Sequence, residues 1–246
     1  MKKQEKAGKT TSAGNGIGTR NERSLHAALK QWYALPGDRF EVPLMGFVID
    51  LVRGGQLIEI QTRNFTAIRQ KIKKLVEEHK VHLLHPITLE KWIVQVDATG
   101  STVLSRRKSP RKGHLSDLFA ELVRMPELIR HENLSLEFPL IQEEEVRCPD
   151  GQGSWRRKRV SVKDRRLLQV LSTHRFVTAA DFLQFLPVSL PVPFSNKCLA
   201  AATALPLYRC RQITYCLRKM GLIVQVGKKA NEILYEIKEQ EQAACA

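Results

Sequence analysis

Phe47-Val48-Ile49-Asp50-Leu51-Val52-Arg53-Gly54-Gly55-Gln56-Leu57-Ile58-Glu59-Ile60-Gln61 places two short apolar runs on either side of a diglycine. A two-residue hairpin turn at Gly54-Gly55 sets Arg53 opposite Gln56 and Asp50 opposite Glu59. Residues opposed in such a ladder hold their Cβ atoms about 4.5–5.5 Å apart. Strict alternation puts Phe47, Ile49, Leu51, Ile58 and Ile60 on one face, and Asp50, Glu59 and Gln61 on the other. Two facing carboxylates repel unless something neutralises them. A divalent cation with oxygen ligands is one such partner. The alternative is a surface hairpin with two solvated acids, and the apolar company of Asp50 argues against it.

Working outward, a helix begins near Thr19, with Leu25, Leu29 and Trp32 on one stripe, and Pro36-Gly37-Asp38 stops it. Glu22 lies on that stripe. It also completes a capping box, Thr19-Arg20-Asn21-Glu22, which would account for it without any further role. Strands are expected over 40–44, 47–52 and 57–61, a helix over 65–76 and a strand over 81–84. The order is helix, three strands, helix, strand. A further hairpin joins 92–96 to 102–104, followed by the basic loop Ser105-Arg106-Arg107-Lys108-Ser109-Pro110-Arg111-Lys112-Gly113. His79, His82 and His85 recur nearby, but at no spacing that suits a metal, and read as structural or surface residues.

These residues resemble the PD-(D/E)XK nuclease superfamily: a first-helix Glu, an Asp on one strand, and Glu-x-Lys on the next. Gly18-x-x-x-Glu22 is similar to the start of archaeal Holliday-junction resolvases, and the resemblance covers about 18–85. It implies hydrolysis of a nucleic-acid phosphodiester with Mg²⁺ or Mn²⁺. Asp50 and Glu59 would ligate the metal, and Glu22 would be a metal- or water-positioning acid. The family's Lys position is Gln61 here. Glutamine can hold a water or a phosphate oxygen but brings no charge; Arg63 or Lys71 are the neighbours that could supply it. A homodimer is one assembly the superfamily uses to cut both strands.

The 246-residue chain carries 40 Lys/Arg against 25 Asp/Glu, a net charge of +15, with 43% hydrophobic residues. Residues 151–246 hold 16 basic against 6 acidic residues, whereas residues 1–150 hold 24 against 19. So basic a second part favours a polyanionic partner, DNA first and RNA second. Five scattered cysteines form no C-x-x-C pair. With a Lys-rich start that lacks an apolar core, they lead us to expect a cytoplasmic protein. No run approaches the roughly 18 apolar residues of a membrane span.

The second part opens on Trp155-Arg156-Arg157-Lys158-Arg159, with helices expected over 167–171, 179–186, 195–205 and 207–220, then strands over 222–226 and 232–237. Helix, turn, helix, hairpin is the order of a winged helix. On the 207–220 helix Cys210, Ile213, Leu217 and Met220 form the apolar face. Tyr208, Arg211, Gln212, Tyr215, Arg218 and Lys219 form the other, and Lys228 and Lys229 sit at the expected wing tip. Arg and Gln can read base edges; Lys and Tyr can bind phosphates. Arg106, Arg107, Lys108, Arg111 and Lys112 make a second basic cluster.

The expected architecture is therefore α/β (α+β). A basic arm (1–17) leads into a restriction-endonuclease-like core with a central mixed sheet (18–150). A linker (151–159), a winged helix-turn-helix domain (160–238) and a tail (239–246) follow. The function expected first is a Mg²⁺-dependent DNA endonuclease. The alternatives are a non-catalytic DNA-binding regulator with a decayed nuclease fold, kept open by Gln61, and an RNA-binding factor.

Overall fold

The structure is a computed structural model, and it describes residues 24–238. The arm over 1–17, Glu22 and the tail over 239–246 lie outside the described residues. The chain runs α1 (Ser24–Tyr33), β1 (Arg39–Leu44), β2 (Phe47–Arg53), β3 (Gln56–Ile60), α2 (Arg69–Leu75), β4 (Val81–Leu84), β5 (Ile87–Val96) and β6 (Val103–Lys108). It continues with α3 (Phe119–Leu122), β7 (Leu134–Cys148), β8 (Ser161–Phe176), β9 (Phe194–Ser195), α4 (Asn196–Thr203), α5 (Leu207–Lys219), β10 (Ile223–Lys229) and β11 (Glu232–Ile237). The class is mixed α/β. A central mixed sheet has the order β1-β2-β3-β4-β7-β5-β6, with β8 also on β7, and a second sheet has the order β10-β11-β9.

Gly54 and Gly55 both have positive φ, +52° and +84°. A two-residue turn of the I′ type needs this at both positions, and only glycine enters the region without steric cost. The register that follows is Leu51↔Ile58, Val52↔Leu57 and Arg53↔Gln56. β3 then pairs parallel with β4, and β4 parallel with β7. β3 and β4 therefore end side by side at Ile60 and Leu84, while β7 runs on from Glu137 to Cys148.

The expected alternation of faces fails at one point. Leu51, Ile58 and Ile60 pack with Leu25 and Leu29 of α1, but Ile49 packs in the other core with Val52 and Leu57. Neither Glu41 nor Asp50 takes part in the β1–β2 ladder, and Glu41 has φ +51°. The pleat breaks there, so Ile49 and Leu51 do not share a face.

A second difference concerns 161–176. A helix over 167–171 was expected there; β8 instead runs antiparallel along β7 from Leu136↔Phe176 to Cys148↔Ser161. The misreading has a physical cause. The register shifts between Gln142 and Glu143, so Leu168 is an extra residue, and Leu167 and Val170 both pack on the α1 cluster. A bulge converts the two-residue spacing of a strand into a three-residue spacing that imitates a helix. Likewise Arg106 to Lys108 belong to β6 rather than to a loop.

One apolar core extends from Ile49 on β2 through Phe138, Phe176 and Phe182 to Ile213, Leu217 and Tyr235. Phe176 stacks on Phe182 with ring centroids 4.3 Å apart. The buried Arg209 of α5 pairs with Asp117 just ahead of α3.

Candidate functional site

Asp50 sits where the β2–β3 ladder ends. Its Oδ2 accepts the Ile60 N–H at 2.8 Å and lies 3.3 Å from His26 Nε2 on α1. Its Oδ1 is 3.8 Å from Lys30 Nζ, and Lys30 also pairs with Glu41. Burial alone would push the Asp50 carboxyl up. The bond and charge of His26, the Ile60 N–H and the Lys30 ammonium outweigh it, and Asp50 ends below its ordinary value.

Glu59 is 2% exposed and faces α2, where Lys71 Nζ lies 2.5 Å from Oε1 and donates to the Val48 carbonyl at 2.6 Å. Oε1 is fully buried and makes no well-aligned hydrogen bond. Burial raises the Glu59 pKa, the Lys71 ammonium opposes this, and the Asp50 charge raises it again, to about 7. The Asp50 backbone N–H reaches the Glu59 carboxylate as well. The two acids thus meet across the ladder end, approached from opposite faces, rather than side by side on one face as strict alternation implied. Their environments drive the two carboxyls apart, one ionised at neutral pH and one near half-titrated.

Gln61 follows directly on β3. Its backbone N–H bonds the Leu84 carbonyl, its carbonyl accepts from His85 Nδ1 at 2.5 Å, and its amide nitrogen donates to Asn64 O at 2.9 Å. The side-chain amide is therefore engaged with the loop beyond Gln61. Of the two cations considered from sequence, Lys71 reaches the acids. The sequence reading missed His26 and Lys30. They stand four residues apart on α1 beside the Leu25/Leu29 stripe, and that spacing, which stacks side chains on one helix face, was the available signal. His82 and His85 are buried. His82 bonds Ser135 at 2.8 Å and Glu137 at 3.1 Å, and burial holds the His85 pKa down at about 4.

Among the described residues, no group of three or more His, Cys, Asp or Glu side chains is arranged to hold a metal. Asp50 and Glu59 offer two carboxylates. Mg²⁺ is commonly held by one or two carboxylates together with water and substrate phosphate. Glu59 Oε1 is met by the Lys71 ammonium at 2.5 Å, so a cation bound there would take the place of Lys71.

The basic residues fall into two sets. On β6, Arg106 bonds Glu144 at 2.6 Å and Lys108 meets Glu90 at 2.9 Å, and both cations lie over the Trp92 ring. Arg107, Arg111 and Lys112 are exposed. On α5, Tyr208, Arg211, Tyr215 and Arg218 are exposed, while Cys210, Ile213, Leu217 and Met220 are buried. Gln212 accepts from Arg209 at 2.8 Å, and Lys219 lies 3.8 Å from Glu127. Lys228 and Lys229 are exposed at the β10–β11 turn. A cavity of about 340 Å³ opens between α5 and this hairpin, lined by Lys197, Arg211, Tyr215, Arg218 and Asn231 among others.

No helix among the described residues is long and apolar enough to cross a membrane. The chain belongs to the family described as Domain of unknown function (DUF8091), which matches residues 23–177. It is 33% identical over 220 residues to an uncharacterized protein of Treponema pallidum (strain Nichols), covering 89% of this chain and 86% of that protein. No solved structure matches it.

Proposed function

We propose that this member of the family is a metal-dependent nucleic-acid phosphodiester hydrolase of the PD-(D/E)XK kind, with a restriction-endonuclease-like core and a carboxyl-terminal winged helix that binds DNA. One observation carries the reading. A diglycine hairpin, in the expected register as far as Leu51↔Ile58, leaves Asp50 and Glu59 as neighbours at the end of the ladder, near enough for the Asp50 charge to act on Glu59, with Lys71 on Glu59. Asp50 and Glu59 would hold Mg²⁺ or Mn²⁺. When bound, the ion would polarise a phosphoryl oxygen and make its water a better nucleophile. Lys71 supplies positive charge where a scissile phosphate would gather negative charge, the part that Gln61 cannot play. His26 and Lys30 hold Asp50 in place and keep it ionised. Gln61 remains the candidate for orienting water or phosphate once its amide leaves Asn64. Glu22 is kept as an assisting acid on sequence grounds.

The order β9, α4, α5, β10, β11, with β9 against β11, supports the winged-helix reading. The exposed Tyr208, Arg211, Tyr215 and Arg218 are then the groove-facing residues, and Lys228 and Lys229 the wing. Arg107, Arg111 and Lys112 are candidates for backbone contacts in a cytoplasmic DNA enzyme. The test is purified chain with Mg²⁺ or Mn²⁺ on plasmid, single-stranded and branched DNA, with Asp50→Ala alongside. Metal-dependent cutting that vanishes in Asp50→Ala is expected; cutting that persists in the variant refutes the assignment.

A second reading has its own support. Both acids already have protein cations, His26 and Lys30 for Asp50 and Lys71 for Glu59. That balance suits a non-catalytic DNA-binding regulator. Calorimetric titration with Mn²⁺ separates the two, since such a regulator would show no heat that depends on Asp50.

A further inference from the structure

β7 and β8 form a long hairpin whose turn spans 149–160. At its tip Trp155 is 80% exposed, against 44% for Trp32. Arg156, Lys158 and Arg159 around it are exposed, and the Arg156 guanidinium lies 5.5 Å from the Trp155 ring centroid. The tip is built rather than slack. Gly153 N–H donates to Arg159 O (2.9 Å), Lys158 N–H to Trp155 O (3.0 Å) and Arg159 N–H to Ser154 O (3.1 Å). The Asp150 carboxylate takes the Gln152 N–H (3.0 Å), the Ser161 hydroxyl (2.8 Å) and the Lys163 ammonium (2.8 Å). Lys158 and Arg159 have φ +50° and +61°, a region that non-glycine side chains enter at a cost. Gly153 packs so closely that a Cβ there would fall 1.9 Å from the Val160 carbonyl oxygen.

A fixed loop that holds a large aromatic ring in water and surrounds it with cations spends conformational freedom on something other than the core. We propose that this tip is a nucleobase-stacking site. Trp155 takes an unpaired base of a single-stranded or forked nucleic acid, and Arg156, Lys158 and Arg159 hold the flanking phosphates. Every base has a flat face, so stacking on an exposed ring needs no sequence but does need the base out of its duplex. Charge points to a polyanion, in a chain of net charge +15. An anionic membrane is the weaker fit, because the tip offers one aromatic side chain among Gly151, Gln152, Gly153 and Ser154, too little apolar surface for insertion. The hairpin also leads to the candidate centre. Arg165 on β8 donates to the carbonyl of Thr62, next to Gln61, at 3.2 Å. From Arg165 to the strand end at Ser161 is about 13 Å at a strand's rise. This inference rests on the nucleic-acid reading above and narrows it to substrates with an unpaired segment.

The experiment measures binding of the full chain to dye-labelled single strands of DNA and RNA, a fork with single-stranded arms, and a blunt duplex. It is done by fluorescence anisotropy without divalent cation. Trp155→Ala should weaken single-strand and fork binding about tenfold and leave the blunt duplex unchanged. Trp155→Phe should restore most of the loss. Lys158→Asn with Arg159→Asn, which keep left-handed backbone accessible, should weaken single-strand and fork binding and flatten its salt dependence. The proposal is overturned if Trp155→Ala binds single strands and forks as the wild type does, or loses blunt duplex equally. It is also overturned if the wild type binds none of these, or if only anionic vesicles respond to Trp155. Without divalent cation the readout is blind to cutting, so a failure of the Asp50–Glu59 centre and a failure of the tip are told apart.

Discussion

Glu59 carries a titration with a definite sign. Its folded pKa, about 7, lies above its ordinary value of 4.5. Folding therefore favours the protonated acid, and the associated stability is present below pH 4.5 and lost as pH rises through 7. The size is on the order of 3 kcal/mol. Glu59→Gln removes this dependence. In urea denaturation between pH 4.5 and 8, wild type is expected to lose stability relative to the variant as pH rises. Parallel curves would show that Glu59 is not held near neutrality. His85 acts in the opposite direction: its pKa, lowered from 6.5 to about 4, costs stability as pH falls through that window. His85→Phe should flatten the acid limb of the stability profile in the same experiment, and an acid limb as steep as wild type would contradict it. The turn and the ladder up to Leu51↔Ile58 were legible from sequence, because a diglycine between apolar runs sets that register; the face that Asp50 takes was not, because the pleat breaks beside it. His26, Lys30 and Lys71 were harder to see. Each comes from another element, and only packing brings its cation to the acids.

The hairpin depends on two left-handed residues at its turn. Gly55→Ala forces a Cβ into φ +84° and should cost roughly 1–2 kcal/mol, read as a lower urea midpoint. An unchanged midpoint would mean that the turn relaxes freely. The strands β1 to β4 and the helix α5 were legible because their apolar periods are clean. β8 was not, because bulges against β7 shift its register and give Leu167 and Val170 a helix-like spacing. Periodicity reports how residues face a core, and a bulge changes that count without changing the strand.

The division expected near residue 150 gives way to continuity. β8 stays in the central sheet, and one apolar core reaches from Ile49 to Tyr235. Sequence composition marks the turn at 149–160 as polar and Gly-rich, but composition does not record that the chain returns to the same sheet. The physical consequence is joint unfolding. Phe176 is 2% exposed and packs between Phe138 and Phe182. Phe176→Ala is expected to cost about 3–5 kcal/mol and to lower one common transition seen by both tryptophan fluorescence and far-UV circular dichroism. Two separated transitions would show that α4, α5 and their hairpin fold as an independent unit. Lys30, Lys71 and His26 already balance the acids, so the proposal turns on whether a divalent cation can bind them in the place of those groups. Cleavage of branched and linear DNA with Mn²⁺ by wild type and by Asp50→Asn, which keeps the side-chain shape, decides it. Metal-dependent cutting by wild type, reduced at least about a hundredfold in the variant, is the expected result. Cutting that Asp50→Asn leaves intact, or wild type that cuts none of these substrates, would contradict it.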